Sequence, residues 1–203
     1  MKIYLIRHGQ TDWNLAGKIQ GSTDIPLNET GKSQAQALAK GMEKRPVMQI
    51  FSSTLKRAVA TAAAIGRSQK VDVDIIRGLE EVGFGHWEGM SWTEIQETYP
   101  EEYEKWCMNP IDVAPPGGES QREIYRRCGQ VVEGIVAQAH GDVAIVSHGA
   151  TMAYLIAYMM REHPLEEELI VENASITTIH YSSWTKDFTI MELNDVSHLQ
   201  KKI

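Results

Sequence analysis

Leu5-Ile6-Arg7-His8-Gly9 and Ile145-Val146-Ser147-His148-Gly149 share one form: a short apolar run, then a basic residue or serine, then histidine and glycine. Residues 3–6 and 143–146 carry no charge, the pattern of strands buried on both faces of a parallel sheet. Working outward, residues 48–52 read as a further strand, residues 71–76 as an edge strand, and residues 176–181 and 188–193 as a hairpin. Asn28 is placed to cap a helix in which Ala35, Leu38, Ala39 and Met42 recur at helical spacing. Residues 54–67 and about 151–161 predict two more helices. Residues 119–140 predict the most amphipathic one, with Ile124, Cys128, Val131, Val132 and Ile135 along one face. Strands that alternate with helices predict an α/β chain, here a three-layer α/β/α sandwich around a mixed, mostly parallel sheet.

Residues 10–27 read as loop, broken by Gly17, Gly21 and Pro26. Residues 83–118 hold four of the seven prolines together with Trp87, Trp92 and Trp106. They are expected to form a lid-like, partly helical insertion in a single domain spanning 1–203.

The chain has 203 residues, enough to bury a sizeable core. No stretch approaches the roughly 20 apolar residues of a membrane span, and residues 1–7 do not form a signal peptide, so no membrane partner and a cytoplasmic location are expected. The formal net charge of −7 argues against a nucleic-acid partner. Cys107 and Cys128 form no CxxC pair, and each is expected to be a reduced thiol packed as a small apolar group. Neither opens the C-x5-R loop of cysteine phosphatases, because Val113 and Gly134 stand at the arginine position. No His and Asp cluster has ligand spacing, so no metal and no cofactor are expected.

Ligand sites in open α/β sheets gather at the carboxyl ends of strands. If both apolar runs are central and parallel, His8 and His148 face one crevice, and Gly9 and Gly149 leave room for a ligand beside the backbone. Arg7 adds a fixed positive charge. Arg57 lies near the start of a helix that follows a strand, a natural place for an anion. Two guanidinium groups converging there would clamp a phosphoryl group. Glu80, Glu81 and Glu88 lie near Val82, Phe84 and Trp87, surroundings that would favour a neutral carboxyl suited to a general acid. Spacing does not separate the three glutamates.

Taken in order, Arg-His-Gly at 7–9, Leu-Lys-Arg-Ala-x-x-Thr-Ala at 55–62, Leu-Glu-Glu-x-x-Phe-Gly-x-Trp-Glu-Gly at 79–89, Pro-Gly-Gly-Glu-Ser at 116–120 and Ser-His-Gly at 147–149 resemble the histidine phosphatase superfamily. Within it they are similar to the phosphoglycerate-mutase-like branch. The resemblance implies that His8 is the nucleophile, forming a phosphohistidine, and that Arg7, Arg57 and His148 hold the phosphoryl oxygens. It implies Glu81 as proton donor, Asn14 as a phosphate contact, and Gln20, Gly21 and Gly149 as the pocket rim. The expected activity is metal-independent hydrolysis of a small phosphorylated metabolite.

The interval from Glu81 to His148 is shorter than in the phosphoglycerate mutases of this family. The chain looks more like its compact phosphatases, among them broad-specificity, phosphoserine and α-ribazole-phosphate types. A mutase is the main alternative, and a phosphoester-binding module the lesser one. Trp13, Phe84, Trp87, Trp92 and Trp106 are candidates for the leaving-group pocket. A monomer or a homodimer is expected. Asp72-Val73-Asp74 and Thr30-Gly31-Lys32-Ser33 mimic other phosphate-handling motifs. The first follows polar residues where a buried strand is required, and the second has no strand leading into it.

Overall fold

The computed structural model describes residues 1–161 and 171–199. It contains strands β1 (Lys2–Arg7), β2 (Gln49–Ser52), β3 (Val73–Ile75), β4 (Val143–Ser147), β5 (Ile176–Tyr181) and β6 (Phe188–Asp195). The helices are α1 (Asp12–Leu15), α2 (Glu29–Gly41), α3 (Lys56–Gln69), α4 (Trp92–Thr98), α5 (Pro100–Met108), α6 (Gln121–Gln138) and α7 (Gly149–Met160). One six-stranded sheet has the order β3-β2-β4-β1-β5-β6. β1, β2, β3 and β4 pair in parallel, whereas β5 and β6 run antiparallel to their neighbours.

Alternation along β1 and β4 explains why both read as unbroken apolar runs. Ile3, Leu5, Val143 and Ile145 enter one core with Ile124, Cys128, Val132 and Ile135 of α6 and Met152, Leu155 and Met159 of α7. Tyr4, Ile6, Ala144 and Val146 enter the other, with Leu38 and Met42 from the α2 side and Ala58, Ala62 and Ile65 of α3. Side chains of a strand alternate between its faces, so a strand with a core on each side has no polar face to show. The three-layer sandwich follows.

The expected elements are present, with three corrections. Residues 10–27 are not all loop: α1 forms there, with Thr11 as its cap and Asn14 closing a capping box. The cap outweighs the flanking glycines over these four residues. Cys107 is exposed rather than packed, while Cys128 is buried, and burial pushes its thiol up to about 12. Trp87 is fully buried against Tyr103 and Trp106 and belongs to the core of its segment, not to a pocket. Residues 83–118 fold as a short turn at Gly85–Trp87 followed by α4 and α5. No helix among the described residues is long and apolar enough to cross a membrane.

Candidate active site

β1 and β4 are adjacent and parallel, with Arg7 opposite Ser147. The two chains therefore leave the sheet side by side, and the rings of His8 and His148 come within 5.0 Å, centroid to centroid. β2 ends one strand further out, where Ser53 N–H donates to Val146 O at 3.1 Å. α3 starts three residues later and delivers Arg57 in its first turn. One sheet edge thus gathers His8, His148, Arg7 and Arg57 at the carboxyl ends of the parallel strands.

Hydrogen-bond partners fix the ring protons of both histidines. His8 Nδ1 lies 2.7 Å from Gly9 O. A carbonyl only accepts, so Nδ1 carries the hydrogen and Nε2 keeps its lone pair. In His148, Nδ1 accepts from Arg57 Nε–H at 3.1 Å, and Nε2–H donates to Ser53 Oγ at 2.8 Å. The two neutral rings are opposite tautomers. His8 is 1% exposed and His148 is fully buried. Burial first, then the positive charges of Arg57 and Arg7, hold His8 well below the usual histidine range. Burial also depresses His148, with neighbouring His8 next in importance.

These shifts give stability a pH dependence. Between the depressed folded value and the ordinary value near 6.5, the unfolded chain binds protons that the folded chain does not. The stabilisation is complete above about pH 6.5 and declines as pH falls below it, by up to about 1.4 kcal/mol per pH unit for each such ring. Calorimetry in phosphate-free buffer from pH 7.5 to 5.5 should give a shallower decline for His8→Asn than for the native chain. Equal slopes would mean that His8 is not held neutral.

Arg57 is fully buried, and its guanidinium donates to Gly21 O at 2.8 Å and Thr23 O at 2.7 Å as well as to His148. It joins the rim residues to the second histidine. Arg7 Nη1 donates to Val171 O at 2.5 Å, and its buried Nε has no partner among the described residues. The Arg7 guanidinium lies over Gly149, where a Cβ would stand 3.3 Å from Nε. Gly149 therefore makes room for Arg7. Gly9 is a glycine for another reason than ligand access: a Cβ there would lie 2.5 Å from Gly31 O, at the start of α2.

Contacts from distant residues separate the three glutamates. Glu80 accepts from Thr54 Oγ1 at 2.8 Å and Gly78 N–H at 2.5 Å. Glu88 accepts from the backbone N–H groups of Ser22, Thr23 and Phe84 and from the hydroxyls of Ser22 and Thr23. Glu81 alone sits at the amino end of α7, beside His148. Its Oε1 accepts from Val82 N–H at 3.0 Å and Thr151 N–H at 3.0 Å, and lies 3.1 Å from the Thr151 hydroxyl, whose hydrogen points to Glu80 O at 2.7 Å. Its Oε2 has one long bond, from Ala150 N–H at 3.3 Å. The carboxylate is cradled by backbone N–H donors, not by the apolar and aromatic surroundings expected of it.

Asn14 Oδ1 accepts from Thr11 N–H at 3.1 Å and Asn173 Nδ2 at 3.3 Å, which turns its own amide donors away from both. Gln20 Oε1 accepts from Thr11 Oγ1 at 2.9 Å. Gly21 has φ +53°, and a Cβ there would collide with the Glu88 carboxylate at 2.1 Å. Three side chains not singled out in the sequence complete the frame: Ser53 on His148, Thr151 on the Glu80 carbonyl next to Glu81, and Asn173, which also donates to His8 O at 3.1 Å, while Glu88, one of the three candidate glutamates, fastens the rim. Of the aromatic candidates, Trp92 stacks on Trp106 at 5.7 Å and meets Phe84 edge-on, while Trp13 packs over Gly89. No group of three or more His, Cys, Asp or Glu side chains among the described residues is placed to hold a metal ion.

Residues 3–196 match the family described as histidine phosphatase superfamily (branch 1). The chain belongs to the histidine phosphatase superfamily. Its curated relatives include phosphoglycerate mutase-like protein 4 of Arabidopsis thaliana, 33% identical over 98% of this chain and 87% of that protein. The metal-independent phosphoserine phosphatase of the same plant is 35% identical over 98% of this chain and 83% of that one. Among solved structures, a variant phosphoserine phosphatase of Entamoeba histolytica in complex with phosphoserine superposes with a TM-score of 0.86 and 30% identity. That match covers 98% of this chain and 99% of the other. This histidine phosphatase is thus an enzyme of the phosphatase class.

Proposed function

We propose that this histidine phosphatase is a metal-independent phosphomonoester hydrolase acting on a small phosphorylated metabolite, with His8 as nucleophile and Glu81 as general acid and base. One observation carries the reading: the bare Nε2 lone pair of a neutral His8 lies in a site that also holds a fully buried arginine, Arg57, and a half-buried one, Arg7. In the first step Nε2 forms a bond to phosphorus as the bond to the ester oxygen breaks. Arg7, Arg57 and the Asn14 amide neutralise the equatorial oxygens. Glu81, through its less encumbered Oε2, gives its proton to the departing oxygen. The imidazole keeps its Nδ1 proton, and Gly9 O steadies the resulting positive ring. Water then attacks phosphorus, Glu81 takes its proton, and the P–N bond breaks to restore the lone pair.

His148 would touch the phosphoryl group itself only if Nε2–H left Ser53. As it stands it holds Arg57. Gln20, Gly21 and Gly149 shape the rim. Residues 1–203 would act as one catalytic domain, with residues 83–118 over the leaving group, in a monomer or a homodimer. Sedimentation decides the last point. The alternative is a mutase, for which phosphoglycerate mutase-like protein 4 is the relevant relative.

Phosphate release from p-nitrophenyl phosphate, phosphoserine, 3-phosphoglycerate and α-ribazole phosphate, measured with EDTA present, tests the reading. Turnover is expected to survive the chelator, and the best substrate names the leaving group. Interconversion of 3- and 2-phosphoglycerate without phosphate release would replace the hydrolase by a mutase.

A further inference from the structure

The segment that carries Glu81, residues 78–83, has no regular secondary structure. Yet four consecutive carbonyls in it are held by side chains from three separate elements. Arg127 of α6 donates to Gly78 O at 2.9 Å and to Glu81 O at 3.4 Å. Ser147 of β4 donates to Leu79 O at 2.8 Å, and Thr151 of α7 to Glu80 O at 2.7 Å. Arg127 is itself fixed by Glu119 in a two-point pair, Nε to Oε1 at 2.8 Å and Nη2 to Oε2 at 3.0 Å. Glu119 Oε2 also accepts from Gly83 N–H at 2.8 Å. The two charged groups therefore grip both ends of the segment and the peptide of Glu81 between them. Both side chains are largely covered, 19% and 31% exposed, so solvent competes weakly for these bonds.

We propose that Glu119 and Arg127 are a positioning pair for proton transfer, holding the Glu81 carboxyl where it meets the leaving oxygen. Neither touches the phosphoryl group. The inference rests on Glu81 being the general acid. It assigns a task to the glutamate of Pro-Gly-Gly-Glu-Ser and takes Arg127 out of the cations available to the substrate.

The test compares kcat/KM for phenyl phosphate with that for p-nitrophenyl phosphate. The two esters have similar shapes, but p-nitrophenolate departs without a proton and phenolate gains much from one. Glu81→Gln is expected to raise the ratio of p-nitrophenyl to phenyl activity by about 10²-fold or more. Arg127→Met and Glu119→Gln should raise it in the same direction by about 10- to 100-fold. A merely structural role would lower both substrates together. Equal losses on both esters, or no loss on either, would overturn the positioning role. If Glu81→Gln itself leaves the ratio unchanged, the general-acid reading has failed and the pair has nothing to position. Glu119→Gln keeps an acceptor for Gly83 N–H, so it supplies the comparison if Arg127→Met does not fold.

Discussion

His8→Ala is expected to lower phosphate release by at least about three orders of magnitude and to abolish the trapped phosphoenzyme. Loss of turnover alone would not distinguish a nucleophile from a phosphate contact, so the trapped species matters more. The Nδ1 hydrogen bond to Gly9 O leaves only Nε2 with a lone pair. An alkaline denaturing quench of the native enzyme with labelled substrate should yield an acid-labile, base-stable label, and phosphorus NMR should place it on Nε2. Attachment at Nδ1 would contradict the tautomer, and label on another side chain would contradict the mechanism.

Arg57 should come next in effect. Its guanidinium is fully buried and makes three bonds in fixed directions, to Gly21 O, Thr23 O and His148 Nδ1. Arg57→Ala is expected to lower kcat/KM by about 10³-fold, the scale of losing an arginine that meets charge on a transferring phosphoryl group. Arg57→Lys should recover little of this. An ammonium on a flexible stem cannot hold both rim carbonyls, face the phosphoryl oxygens and donate along the Nε direction. Steady-state kinetics decides it. A lysine variant within about tenfold of the native enzyme would show that charge alone suffices and that the planar fork is incidental.

The sheet was legible because Leu5-Ile6 and Ile145-Val146 lead straight into His8 and His148, and a strand buried on both faces has no other signature. The site was legible where chemistry is local, at Arg7 beside His8 and at Arg57 in the first turn of a helix. It was obscure where a role depends on distant contacts. Glu80, Glu81 and Glu88 look alike in sequence. Thr54, Thr151 and Ser22 with Thr23 tell them apart. Asn173 and Ser53 act through bonds to residues far along the chain and carry no spacing signal. α1 was hidden because a four-residue helix depends on its cap, Thr11 with Asn14, more than on any periodicity.

The carboxylate of Glu88 stitches Ser22 and Thr23 to the start of residues 83–118, and the same short loop offers Gly21 O and Thr23 O to Arg57. Transplanting residues 83–118 from another member of the superfamily therefore also disturbs the loop that holds Arg57, the arginine proposed to clamp the phosphoryl group. A graft that keeps a carboxylate at position 88 carries its own fastening. A graft without one leaves Arg57 on a slackened loop.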